Sequence, residues 1–162
     1  YTILFLMIND LINLLSYENI YLIANWGVIP FWMLLVFFPY RTITHFFVQS
    51  ILVPSILSAL YLFIAYQIYL EGNIFDSFEL YSGLDGLYSM FSSEAFLLIF
   101  WIHFLAISLF LGSWITRDSI KYMVPRFLLV ISLLLTYFTG PVGLVFYWLL
   151  RIFFAKKISF ND

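Results

Sequence analysis

A run of apolar residues from Ala95 to Ile115 constrains this chain more than any other feature. Its polar interruptions are His103, Ser108 and Ser113. About 20 residues of α-helix, at a rise of 1.5 Å per residue, cover the roughly 30 Å hydrocarbon core of a bilayer. The run begins after Glu94, whose carboxylate favours the positive end of a helix dipole. It therefore predicts a membrane-crossing helix over residues 94–116.

The composition extends this prediction to the whole chain. Of the 162 residues, 64% are hydrophobic and 10% are charged, whereas soluble domains have about 25% charged residues. We expect one membrane domain over residues 1–162, with the lipid bilayer as its solvent. The chain has no cysteine, which excludes disulfides, thiolate nucleophiles and iron–sulfur clusters. Seven basic residues that form no patch exclude nucleic acid as a partner.

The remaining apolar runs complete the predicted fold. We expect an all-α integral membrane protein, a four-transmembrane-helix bundle with proline-kinked helices. The spans are predicted at about residues 20–38, 42–70, 94–116 and 125–154, with an acidic loop over residues 71–90. Pro30 and Pro54 lie inside the first two runs, and Gly140-Pro141 divides the last. A single kinked helix is the simpler interpretation of the last run. Two half-helices meeting at the break are the alternative.

The basic residues indicate an orientation. Arg41 follows the first predicted span, three bases follow the third over residues 117–126, and none follows the second. The positive-inside rule places the first two groups on the cytoplasmic side or its equivalent. With four spans, Arg151, Lys156 and Lys157 then fall on the opposite side. Either the rule fails here, or the Gly140-Pro141 break returns the chain to its starting side.

His103 is the first candidate functional residue, because ionisable groups at membrane depth are expensive and often functional. On a helix that turns 100° per residue, Arg117 shares its face, whereas Glu94 lies on the opposite face with Trp101, Ser108 and Gly112. His103 is interpreted as a proton carrier, a metal ligand or a pigment ligand, or alternatively as a histidine hydrogen-bonded to a neighbouring helix. Ser108 and Gly112 form a small-residue strip that predicts helix packing. We expect no metal site.

Several motifs are shared with a known family. Residues 90–110 read MFSSEAFLLIFWIHFLAISLF, residues 114–118 read WITRD and residues 140–147 read GPVGLVFY. With Asn25-Trp26 and the following Ile29-Pro30-Phe31-Trp32, these residues resemble the abscisic-acid-deficient-four family of plants, algae and bacteria. The similarity covers about residues 25–150. It implies a small membrane protein of four helices.

The resemblance also implies a function. In plants the family is required to form neoxanthin from violaxanthin, an isomerisation that opens an epoxide and makes an allene without hydrolysis or external redox equivalents. Such a site needs an acid for the epoxide oxygen and a base to remove a proton. The family's polar positions match His103, Glu94, Arg117 and Asp118, which are the candidate catalytic residues. Relatives commonly have aspartate where this chain has Ser108.

Aromatic side chains make up 23% of the chain and are candidates to line a groove for a flat polyene. They serve alternatively to fill space and anchor the helices at the interfaces. The expected substrate contacts are Trp26, Trp32, Tyr61 and Trp101.

A carotenoid- or isoprenoid-modifying membrane protein is therefore the first functional hypothesis. The alternative is a non-catalytic subunit or assembly factor of a larger, pigment-containing membrane complex. We expect no cofactor other than a bound carotenoid or pigment, and a membrane-protein partner or homo-oligomer under the alternative. A bacterial inner membrane or a plastid membrane is the expected location.

Overall fold

The computed structural model describes residues 15–50, 52–70, 78, 81 and 83–156. In chain order its helices are α1 Tyr17–Gly27, α2 Ile29–Phe37, α3 Thr42–Thr44, α4 Leu52–Leu70, α5 Leu84–Phe91, α6 Glu94–Lys121, α7 Arg126–Thr139 and α8 Pro141–Ala155, with a π-helical segment His45–Gln49 after α3. No strand occurs among these described residues. The all-α prediction is confirmed.

Three stretches are long and apolar enough to cross a membrane: Tyr17–Phe37, Thr42–Leu70 and Glu94–Lys121. The apolar helices α7 and α8 have 14 and 15 residues. At 1.5 Å per residue each covers only about 21–23 Å, less than a hydrocarbon core of about 30 Å. The described residues therefore support three candidate spans and do not show the fourth.

Two prolines lie at helix starts. Pro30 is in the first turn of α2, after a break at Val28 that separates α2 from α1. Pro54 is in the first turn of α4, which follows the π-helical segment. The first turn tolerates proline because its N–H groups have no partner within the helix. Pro54 also lies inside the longer apolar stretch Thr42–Leu70, where the sequence placed it.

The last apolar run is divided in two, which corrects the expectation of one kinked helix over residues 125–154. Gly140 between α7 and α8 has φ +63° and ψ −83°, a conformation that favours glycine. Beyond it, Gly143 lies directly against Thr136, so close that a Cβ atom would overlap the Thr136 backbone. The chain therefore reverses at Gly140. Because α7 and α8 pack against each other and Arg151 near the end of α8 contacts Asp118, they form a helical hairpin.

The chain divides into two compact units. The first comprises Tyr1–Gly27 and Leu57–His103, and the second comprises Val28–Ile56 and Phe104–Asp162. Buried side chains of the first unit include Ile20, Ile64, Leu98 and Ile102, and those of the second include Leu35, Leu109, Ile115, Leu129 and Leu133. Each unit thus has an apolar core of its own.

The predicted acidic loop over residues 71–90 lies largely outside the described residues. Its last part is helical, since α5 begins at Leu84 and includes Asp85 in its first turn. The rest of that prediction stays a prediction.

Candidate functional site

A cavity in the first unit lies between the starts of two helices. Its volume is about 540 Å³, and its lining residues are Tyr17, Glu18, Tyr21, Glu94, Leu97, Leu98 and Trp101. Glu18 is in the first turn of α1 and Glu94 in the first turn of α6, where a carboxylate is favoured by the helix dipole. The fold therefore brings two carboxyl groups from distant parts of the sequence to one cavity, called here the Glu18–Glu94 cavity.

The wall of this cavity is aromatic and aliphatic. The rings of Tyr21 and Trp101 lie 6.2 Å apart between centroids, at an interplanar angle of 44°. Leu97 and Leu98 continue the apolar surface along α6. Small-molecule sites are commonly clefts of about 300–1,000 Å³ with apolar walls and a few polar groups. The Glu18–Glu94 cavity has these properties.

His103 lies outside the cavity lining. Its side chain is exposed on α6, and its ring is 6.1 Å from that of Tyr61, at an angle of 55°. Trp26 also lies outside the cavity, with 65% of its surface exposed. The structure thus pairs the predicted His103 with the predicted Tyr61 on the surface of the first unit, apart from the two carboxyl groups.

Asp118 belongs to a buried polar cluster in the second unit. Arg151 Nε donates to Asp118 Oδ2 at 2.8 Å, and Tyr147 Oη donates to the same oxygen at 2.8 Å. Arg151 Nη2 donates to Tyr122 Oη at 3.3 Å, and the guanidinium carbon lies 4.9 Å from the centre of the Tyr122 ring. Arg151 is 1% exposed. We call Asp118, Tyr122, Tyr147 and Arg151 the Asp118 cluster.

The four candidate catalytic residues do not form one site. Arg117 is exposed, whereas its neighbour Asp118 is engaged by Arg151 and Tyr147. Glu94, by contrast, lines the cavity of the first unit.

Trp32 is a core residue of the second unit. It is 5% exposed, and its ring lies 5.4 Å from that of Tyr137 in a T-shaped arrangement. A Cβ atom on Gly112 would come within 2.8 Å of Trp32 Cη2, so the glycine lets the indole lie on α6. Ser108 is 3% exposed and donates to Leu105 O. The Ser108–Gly112 strip is confirmed as a packing surface.

No group of three or more His, Asp or Glu side chains that would hold a metal ion occurs in the part of the chain that the structure describes.

Three residues of the cavity and the Asp118 cluster were not predicted from the sequence. Glu18 reaches the cavity from α1, and no local pattern links it to Glu94. The spacing of Tyr147 and Arg151 could have indicated them, since residues four apart share a helix face. Arg151 is also the only charged residue within α8, and such a residue calls for a partner.

Comparisons with known proteins give the family. A model of ABA DEFICIENT 4-like proteins matches residues 19–147, most of the chain. The chain belongs to the ABA DEFICIENT 4-like family. Its similarity to Protein ABA DEFICIENT 4, chloroplastic, of Arabidopsis thaliana is 28% identity over 110 residues, 66% of this chain and 50% of that protein. The chain thus spans about half the length of this curated relative. No solved structure matches it.

Membership of the ABA DEFICIENT 4-like family confirms the resemblance drawn from the motifs. The matched residues include α1 from Asn19 onward, α6, α7 and the Gly140-Pro141 turn, whereas Glu18 lies just before them. Both Glu94 and Asp118 therefore lie in the part of the chain that carries the family. The apolar helices are compatible with a membrane protein.

Proposed function

We propose that this chain is an integral membrane protein that binds a xanthophyll and isomerises it. Three helical stretches long enough to cross a bilayer support the membrane assignment, in a bacterial inner membrane or a plastid membrane. The hairpin of α7 and α8 takes the place of the fourth span. Its arms are too short to cross separately, and the contact of Arg151 with Asp118 brings the end of α8 back to the end of α6.

The Glu18–Glu94 cavity is the observation that carries the functional proposal. It brings the two residues predicted for catalysis and substrate contact, Glu94 and Trp101, to one wall together with Glu18. Its apolar and aromatic surface suits the ring end of a carotenoid. Its carboxyl groups suit the oxygen atoms that distinguish a xanthophyll from a hydrocarbon carotene.

Two carboxyl groups are sufficient for an epoxide-to-allene isomerisation. One, as the acid, donates a proton to the epoxide oxygen while its C–O bond breaks. The other, as the carboxylate, removes a proton from the neighbouring chain carbon, whose C–H electrons form the new double bond. One proton enters and one leaves, so the product is an isomer and no electrons are exchanged with another molecule. Glu18 and Glu94 are proposed for these two roles.

A second candidate function is binding without turnover, as a subunit or assembly factor of a larger membrane complex. Ser108 favours it, because this hydroxyl is buried and bonded to its own helix, in the segment where the resemblance to the family implies an aspartate. The same cavity would then hold a pigment without reacting with it.

Purified protein tests the proposal in two stages. Absorption spectra and mass spectrometry of protein from carotenoid-producing cells show whether a polyene co-purifies. Proteoliposomes with violaxanthin then show whether an allenic isomer forms. We expect Glu18→Gln and Glu94→Gln each to lower isomer formation by about a hundred-fold, with Asp85→Asn as the matched control outside the cavity. Binding without isomer formation in the wild type would select the second function, and neither binding nor turnover would reject both.

A further inference from the structure

The basic residues are confined to one unit. All seven Lys and Arg residues fall in the segments of the second unit and none in those of the first. Seven of the nine Asp and Glu residues fall in the segments of the first unit. The net charge of −2 therefore conceals a strongly basic unit and an acidic one.

Within the second unit, the bases gather at one end of the helices. Arg126 Nη2 donates to Phe37 O at 2.7 Å, which joins the start of α7 to the end of α2. Lys121 ends α6, only a short turn before Arg126. Arg41 follows Phe38 by one turn, with its backbone N–H bonded to Phe38 O.

The hairpin brings the last base to the same end. Arg151 is bonded to Asp118 near the end of α6, and Lys156 follows it by little more than one helical turn. If α7 and α8 formed one continuous span, Lys156 would lie at the far end. The hairpin therefore places Arg151 and Lys156 at the same end as the other bases. This resolves the conflict with the positive-inside rule that four spans would create.

This end has little negative charge of its own. Asp118 is the only carboxylate among the described residues of the second unit, and Arg151 and Tyr147 engage it. The five other described bases, by contrast, have exposed side chains: Arg41, Arg117, Lys121, Arg126 and Lys156. A cluster of four to eight Lys and Arg residues beside a membrane helix attracts anionic lipids.

Exposed apolar side chains lie among these bases. Tyr40 is 61% exposed, Met123 in the turn between α6 and α7 is 86% exposed, and Phe127 is 65% exposed. Aromatic and apolar groups interleaved with cations are typical of the layer where headgroups meet acyl chains. A free phosphate ion would use the cations alone, whereas a lipid uses both kinds of side chain.

We propose that this basic end binds the headgroups of anionic phospholipids in the adjoining leaflet. The bases there are Arg41, Arg117, Lys121, Arg126 and Lys156. Their guanidinium and ammonium groups bind phosphate oxygens, while Tyr40, Met123 and Phe127 contact the upper acyl chains. The proposal requires membrane insertion and is independent of the xanthophyll chemistry.

Quenching of tryptophan fluorescence by brominated lipids tests it. Trp114 and Trp148 lie within one turn of Arg117 and Arg151, so part of the tryptophan signal comes from this end, and the change between wild type and variant isolates it. Reconstituted wild-type protein should prefer brominated phosphatidylglycerol over brominated phosphatidylcholine by about five-fold, the size expected for one basic residue near an anionic surface. About 0.5 M sodium chloride should remove most of this preference.

The variant Arg41→Gln, Lys121→Gln, Lys156→Gln removes three of the five bases and should weaken the preference. All three side chains are exposed and none lines the Glu18–Glu94 cavity. The matched control Arg41→Lys, Lys121→Arg, Lys156→Arg keeps every charge and should keep the preference. Equal binding of the two lipids by the wild type, or an unchanged preference in the neutral variant, would overturn the proposal. A loss in the charge-retaining control would do the same. No pigment enters this assay, so its outcome is separate from that of the isomerase test.

Discussion

Arg151 donates to Asp118 across 2.8 Å from a guanidinium group that is 1% exposed. The two residues are 33 positions apart in the chain, and their contact joins the end of α8 to the end of α6. Tyr147 donates to the same Asp118 oxygen. Removing the Asp118 carboxylate would leave the Arg151 charge buried without a counter-charge, which destabilises a folded protein.

We expect Asp118→Ala to destabilise the protein by about 3 kcal/mol, because it leaves the Arg151 charge buried without its carboxylate. Thermal unfolding in detergent micelles measures the loss. The exposed neighbour provides the control, and Arg117→Gln should stay within about 0.5 kcal/mol of the wild type. Replacing both partners, as Asp118→Leu with Arg151→Met, should recover most of the stability. An Asp118→Ala protein as stable as the wild type would contradict the role of the pair.

Gly112→Ala should cost about 1–3 kcal/mol, since the added methyl would come within 2.8 Å of Trp32 Cη2 and push the indole out of its place. Gly27→Ala is the matched control, because nothing lies within 4 Å of a Cβ atom there. Unfolding midpoints of the two variants provide the measurement. Shortening the opposing side chain by Trp32→Leu should offset part of the Gly112→Ala loss. Equal effects of the two glycine substitutions would show that the indole does not lie on Gly112.

The absence of cysteine from the sequence makes the hairpin directly testable. Single variants Lys121→Cys and Lys156→Cys should react with a membrane-impermeant maleimide from the same side of oriented vesicles. Ser93→Cys, at the opposite end of α6, should react from the other side. Thr139→Cys, at the hairpin turn, should be protected on both sides. Labelling of Lys156→Cys from the Ser93 side would mean that residues 126–155 cross the bilayer.

Two substitutions on one helix separate the cavity from the histidine. Glu94→Gln should lower xanthophyll turnover by about a hundred-fold, the usual scale for losing a general acid or base. His103→Ala should change turnover by no more than about two-fold and stability by less than about 0.5 kcal/mol, because the ring is exposed and lies outside the cavity lining. Proteoliposome assays with violaxanthin make the comparison. The reverse order of effects would move the chemistry to the surface near Tyr61.

The sequence predicted a helix boundary correctly where an apolar run and a capping motif indicated the same position. Residues 92–94 correctly indicated the start of α6. Its end came later than predicted, at Lys121 rather than residue 116, because Thr116 and Ser119 are buried and bond to carbonyls of their own helix. Polar residues that look like a helix end in a sequence can thus continue the helix when another element covers them.

The hairpin and the cavity required tertiary information. Gly140-Pro141 permits both a kink and a reversal, and local periodicity is the same in either case. The contacts of Gly143 with Thr136 and of Arg151 with Asp118 decide between them. Likewise, nothing near Glu18 in the sequence indicates that it faces the cavity of Glu94, because the two residues are brought together only by packing of α1 and α6.

The hairpin also fixes the length of a segment. One residue inserted into α7 or α8 would rotate everything beyond it by about 100° and shift it by about 1.5 Å. Arg151 would then point away from Asp118, and an insertion between Thr136 and Gly143 would also remove their close contact. The contact between Asp118 and Arg151 therefore constrains the number of residues in the chain between them. In related proteins we expect insertions and deletions to avoid this segment, or to add whole turns to both arms together.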